Sequence, residues 1–186
     1  MDLELTSRQY DEVAKNCRKV FARKLMDYGA SWRILRPASL TDQLFIKAKR
    51  IRSIEITGEN RVGDDIYGEL GAIVNYGLVG LIQLEEGYSD VIDMNVETAL
   101  EKYDAFFAAA KSLMMDKNHD YGEAWREMRT ASYTDLILTK LCRVKQIEDN
   151  DGVTLISEGI DSNYYDIINY AMFGLIRHLE SSKTEK

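Results

Sequence analysis

Lys47 and Arg50 stand one helical turn apart, and Lys140 and Arg143 repeat the pair at a fixed offset (140 − 47 = 93). An ammonium beside a planar guanidinium is a combination that clamps phosphate. Lys24 and Lys117, Arg33 and Arg126, and Arg36 and Arg129 are also related by that offset, so a whole cationic set is written twice. The plainer role for such residues is a solvated face or ion pairs with acidic neighbours. Asp27 and Asp120 follow the first helix of each half, as ligand contacts or as carboxylates that fix a Tyr-Gly corner. Trp32 and Trp125, with Tyr28 and Tyr121, could stack a base, or pack as core. Glu55 and Glu148 end apolar helical stripes, where a carboxylate needs a partner: Mg²⁺ or an arginine. On the closing helices, Glu69 in one half and Asp166 in the other each supply one carboxylate of a Glu-x-x-Asp pair. With Glu55 and Glu148 they are the candidate metal ligands. Asn75 and Asn169 lie among apolar positions and are expected to bond between helices. No residue is singled out as catalytic.

These residues are positioned by a duplication. From Lys24 to Ile56 against Lys117 to Asp149, 15 of 33 positions are identical. Polar residues persist where neighbours diverge, as at Leu25/Asn118, Ile46/Thr139 and Lys49/Cys142. Two long units imply a pseudo-two-fold pair rather than a solenoid. The expected division is 1–90 and 91–186, packed as one unit.

The predicted elements are all helical, with a single Pro, Pro37, forcing a break. Thr6 to Gln9 has capping-box spacing, so a first helix is expected from there to Tyr28, with Gly29 as its stop. A short helical turn should carry Trp32. Further helices are expected over 40–56, 64–86, 96–116, 132–148 and 156–179, with a frayed tail at 181–186. Gly77 and Gly80 should let another helix approach closely. The fold class is therefore all-α: a six-helix bundle from two three-helix repeats.

Bulk properties narrow the function. The net charge of −7 argues against a duplex-DNA partner. No apolar run is long enough to span a bilayer, and the opening Met-Asp-Leu-Glu-Leu lacks signal-peptide character, so a cytoplasmic protein is expected. Cys17 and Cys142 are not equivalent under the repeat, which reads as two reduced, packed thiols. His119 and His178 are too few for zinc. No P-loop, Gly-x-Gly-x-x-Gly, Gly-x-Ser-x-Gly or Cys-x-x-Cys motif occurs.

The run Lys-x-x-Asp-Tyr-Gly-x-x-Trp-Arg, the Ser-x-x-Asp start with Lys-x-x-Arg, and the closing Asn-Tyr resemble the nucleotide-modification-associated domain 1 family in its tandem form. The likeness covers about 10–86 and 103–180. It implies a role in nucleotide or base modification. A weaker likeness is to all-α nucleoside triphosphate pyrophosphohydrolases of the MazG and dimeric dUTPase type. That likeness implies Mg²⁺ and paired bundles, and would allow a homodimer. Glu69 and Asp166 match its second carboxylate motif, each in a different half. Its Glu-x-x-Glu motif is absent, and that helix carries Lys47, Arg50, Lys140 and Arg143 instead.

The resulting expectation is a phosphorylated nucleotide-like ligand held between the halves by Lys24, Asp27, Arg33, Lys47, Arg50, Lys117, Asp120, Arg126, Lys140 and Arg143. If the protein is an enzyme, Mg²⁺-dependent pyrophosphohydrolysis is the expected reaction. The rival is a non-enzymatic interaction module whose charges lock the bundle. A third reading, single-stranded nucleic-acid binding through Trp32 and Trp125, is the weakest at this net charge.

Overall fold

A computed structural model describes residues 3–61, 63 and 65–184. Six α-helices follow one another: α1 (Leu3–Tyr28), α2 (Pro37–Thr57), α3 (Ile66–Glu86), α4 (Val96–Tyr121), α5 (Thr130–Asp149) and α6 (Ile160–Thr184). Short 3-10 turns at Ser31–Ile34 and Ala124–Glu127 join α1 to α2 and α4 to α5. Each repeat is thus helix, turn, helix, helix. No strand occurs among the described residues.

The expected boundaries need correction at several helix ends. α1 begins at Leu3, because the Thr6 hydroxyl bonds the distant Glu123 carboxylate instead of capping. α2 begins at Pro37, where a proline lacks only an N–H that the first helical turn would leave unpaired anyway. α3 starts at Ile66, with the Asp65 carboxylate accepting from the Gly68 N–H; the expected start at Asp64 lies outside the described residues. α4 runs on to Tyr121, past the expected Asp116, and stops at Gly122 in the left-handed region, as α1 stops at Gly29. α6 starts at Ile160, and Leu155 and Ile156 stand fully exposed in the loop before it. Its helix continues into the expected tail as far as Thr184; residues 185–186 are outside the description.

α2, α3, α6 and α5 pack in a ring, each against the next, and α1 and α4 lean on one another beside α3 and α6. Tyr10, Leu44, Ile73, Leu78, Ile137 and Ile168 are among the side chains buried at its centre. The pseudo-two-fold is written in paired polar contacts between the repeats. Tyr10 donates to Asn169 at 2.9 Å, and Tyr103 donates to Asn75 at 2.7 Å. Each asparagine spends its amide N–H on the α-helix of its own repeat, Asn75 on the Cys17 carbonyl and Asn169 on that of Ala110. Asp11–Lys111 and Arg18–Asp104, both 2.7 Å, relate α1 and α4 the same way. Both asparagines thus do the helix-to-helix bonding expected of them.

The closest approach is α3 on α6. A Cβ on Gly77 would lie 2.7 Å from an Ile168 side-chain carbon, and one on Gly80 would lie 2.8 Å from Cδ1 of Tyr164. Tyr164 is fully buried and its hydroxyl is tied to Thr41 at 2.9 Å, so the ring has no room to yield. Placing Ala in a helix in place of Gly normally gains about 1 kcal/mol. Gly80→Ala should instead destabilise by about 1–3 kcal/mol through overpacking, read from urea unfolding; an unchanged or raised midpoint refutes the close approach.

Candidate functional site

The retained carboxylates go to the interface between repeats. Glu148 accepts from the Thr41 hydroxyl at 2.7 Å, and Glu55 from the Thr134 hydroxyl at 2.9 Å. Lys145–Asp42 at 2.7 Å and Arg52–Asp135 at 3.8 Å flank them in the same reciprocal sense. α2 and α5 therefore meet as an isologous pair, one surface serving both partners. Burial pushes the Glu55 and Glu148 carboxyls above the usual range, against the pull of the threonine bonds, and Asp135 and Asp42 add to the push.

Lys47 and Arg50 both face the buried Glu69, with Lys47 at 3.4 Å. Lys47 also lies 5.7 Å from the centre of the Tyr76 ring. In the second repeat the carboxylate has moved one turn along. Asp166 takes Lys117 at 2.6 Å and Lys140 at 2.7 Å. Burial raises the Asp166 carboxyl, but its bonds to Lys117 and Lys140 outweigh this and hold it below the usual range. Lys47 with Arg50, and Lys117 with Lys140, are anchored each pair in its own repeat, between α2 and α3 and between α4, α5 and α6, instead of meeting between the halves. Lys24 and Arg143, both exposed, make no hydrogen bond or ion pair among the described residues.

The four expected metal ligands are thereby dispersed: Glu69 and Asp166 face cations, and Glu55 and Glu148 face threonines. Among the described residues, no three His, Cys, Asp or Glu side chains gather where they could hold a metal ion. The four carboxylates therefore do not converge on one site. Cys17 is buried, its thiol pushed up to about 12 by burial, whereas Cys142 is exposed, not packed as expected.

Arg33 and Arg126 lock the repeat corners. Arg33 is buried and bonds Asp93 at 2.8 Å, the Gln83 amide oxygen and the Gly87 carbonyl. Arg126 bonds Glu180 at 2.8 Å, the Thr6 hydroxyl at 2.6 Å and Gln9 at 2.7 Å. Trp125 is stacked on Phe173, with centroids 4.3 Å apart, and the Arg126 guanidinium lies 4.3 Å from its ring. Trp32 is buried, but its aromatic neighbour is Phe21, tilted and 6.5 Å away. Asp27 is exposed on the last turn of α1, and Asp120 is exposed with His119 at 3.1 Å.

Two hollows lie near these groups. One of about 730 Å³ is bounded by Lys140, Arg143, Asn163 and the loop at 153–158. Its lysine is already committed to Asp166, and one wall is a loop whose apolar side chains stand in solvent. The other, about 630 Å³, lies in the first repeat against Lys24, Trp32, Tyr67, Ala72, Tyr76 and Val79. Its volume suits a small ligand, its walls are mostly apolar and aromatic, and an unpaired ammonium stands at its rim. Of these residues, Tyr67 and Val79 were not singled out from the sequence. The signal was available: aligning α3 with α6 pairs Ala72 with Asp166 and Val79 with Phe173. An apolar-for-apolar exchange carries no chemical flag.

Fold and site together define an all-helical tandem-repeat protein with a small-molecule-sized cavity in its first repeat. The chain belongs to the nucleotide modification associated domain 1 family, whose model matches residues 24–84 and 117–178, one segment in each repeat. Neither a curated protein nor a solved structure matches it. No helix among the described residues is long and apolar enough to cross a membrane.

The raised carboxyls at the α2–α5 interface set a pH dependence. Their charged form costs stability above the folded-state pKa, and the cost vanishes below the unfolded value of about 4.3. A glutamine keeps an oxygen to accept from threonine and removes the charge. Glu55→Gln with Glu148→Gln should therefore raise the melting temperature by roughly 2 °C at neutral pH. The gap should close as the pH falls towards about 4. Asp166→Asn should do the reverse, lowering the melting temperature at neutral pH, with the loss fading in acid. Melting curves from neutral pH down to about 3, below the unfolded aspartate value of about 3.9, check both signs.

Proposed function

We propose that the chain binds a phosphorylated nucleotide or nucleotide-like small molecule. The observation that carries the reading is Lys24. Its counterpart Lys117 is neutralised by Asp166, but position 72 is alanine, so Lys24 keeps an uncommitted charge at the rim of a cavity with aromatic walls. A phosphate is the anion that such a lysine would take, and a flat ring is the group that such walls would cover. Membership of a family described by nucleotide modification supports the same ligand class. Lys47 and Arg50 are not on the boundary of this cavity, and both are paired with Glu69.

The rival reading, a charge network that locks the bundle, is favoured by specific contacts for Lys47, Arg50, Lys117 and Lys140, and for Arg33 and Arg126. We assign those residues to structure first. Mg²⁺-dependent hydrolysis would draw on carboxylates that now serve other partners.

Thermal shift with nucleoside mono- and triphosphates, with and without Mg²⁺, tests binding. At least one nucleotide should raise the melting temperature of the wild type. Lys24→Ala should leave the unliganded melting temperature unchanged and abolish most of that rise. Lys47→Ala should lower the unliganded value, since it strips one partner from the buried Glu69. Absence of any nucleotide-induced rise in the wild type counts against the reading.

A further inference from the structure

Two working copies of one site would match in the residues that line it, and here the copies part company at those residues. At the offset that aligns α3 with α6 (169 − 75 = 94), Val79 stands opposite Phe173, Gly71 opposite Tyr165 and Ala72 opposite Asp166. In the second repeat Phe173 and Asp166 are engaged by that repeat's own residues. The Phe173 ring lies on Trp125 with an interplanar angle of 6° and 4.3 Å between centroids. The Asp166 carboxylate lies 2.6 Å from the Lys117 ammonium. In the first repeat the smaller residues leave the cavity of about 630 Å³, with Trp32, Val79, Gly71, Ala72 and Lys24 on its boundary.

We infer that the second repeat is a self-occupied copy of the site, and that Phe173 and Asp166 mark where a ligand's flat ring and its anionic group sit in the first. The ligand then stacks its ring on Trp32, in the space that Val79 leaves, and sets its phosphate against Lys24 in place of a resident carboxylate. One chain holds one ligand. The assignment rests on the nucleotide reading and adds to it the position of the base, the stacking partner and the stoichiometry.

The geometry is favourable on three counts. A near-parallel stack on an indole is the arrangement that base recognition uses, and it tolerates different bases because each has a π-face. The cavity falls within the range of small-ligand sites. The amide of Asn75 on its wall is already committed, its nitrogen donating to the Cys17 carbonyl and its oxygen accepting from Tyr103, so that wall is held in shape before a ligand arrives.

Val79→Phe supplies the first repeat with the second repeat's own ring. α6 carries Phe at the equivalent position within the same helical framework, which argues that α3 can hold it. Gly71→Tyr is an independent way to fill the same space, with the residue that stands at 165. A Cβ at Gly71 meets nothing within 4 Å. Full-length wild type and both variants, each checked for an intact helical melt, are titrated by calorimetry with AMP, GMP, CMP, UMP and dTMP. The wild type should bind with a stoichiometry of one. A folded Val79→Phe or Gly71→Tyr should weaken binding by at least about tenfold, the scale of one lost stacking contact. A stoichiometry of two, or a folded variant that binds as tightly as the wild type, overturns the inference and leaves nucleotide binding standing. Failure of the wild type to bind any of the five, or a triphosphate in the thermal-shift panel, removes the nucleotide reading and this inference with it.

Discussion

A repeat that packs against its own copy has to use one surface as both halves of an interface. That constraint governs the molecule. Thr41 meets Glu148 and Thr134 meets Glu55; Tyr10 reaches Asn169 and Tyr103 reaches Asn75; Asp11 and Arg18 answer Lys111 and Asp104. The approach of α3 to α6 follows the same rule, with Gly80 against Tyr164 and Gly174 against Leu70. Each such residue must suit its place twice over. Persistence of a polar residue in both repeats therefore has a structural cause wherever its partner lies across the dyad.

This separates two kinds of repeated residue. Glu55, Glu148, Thr41 and Thr134 persist because a half-buried carboxylate needs a donor and the symmetric interface supplies one. Lys24 and Lys117 persist although only the second has a resident partner. Where one repeat has alanine in place of the carboxylate and the lysine is still present, pairing alone does not account for the lysine.

Much of the fold was legible in the residues. The 93-residue offset, the helical periodicity and the glycines of α3 indicate a duplicated helical bundle with one tight crossing, and the structure has these. The boundaries were less legible because local signals compete with distant ones. Thr6 looks like a cap, but its hydroxyl belongs to Glu123, 117 residues away. Leu155 and Ile156 look like the first turn of a buried helix but remain in solvent. The candidate site was half legible. Its charges stood out by type, yet their pairing with Glu69 and Asp166 depends on how α3 and α6 are rotated in the bundle. The feature that distinguishes the repeats, valine against phenylalanine, alters volume without altering chemistry.

The linker at 87–95 has a consequence of its own. Two identical single-repeat chains associating around a true dyad would have to open both hollows or close both, since every substitution would appear on each side. Covalent fusion lifts that degeneracy. Position 79 can be small while position 173 is large, so the ring that Phe173 lays on Trp125 has no counterpart beside Trp32. A symmetric pair could be filled at that corner or hollow there, but could not be one on each side.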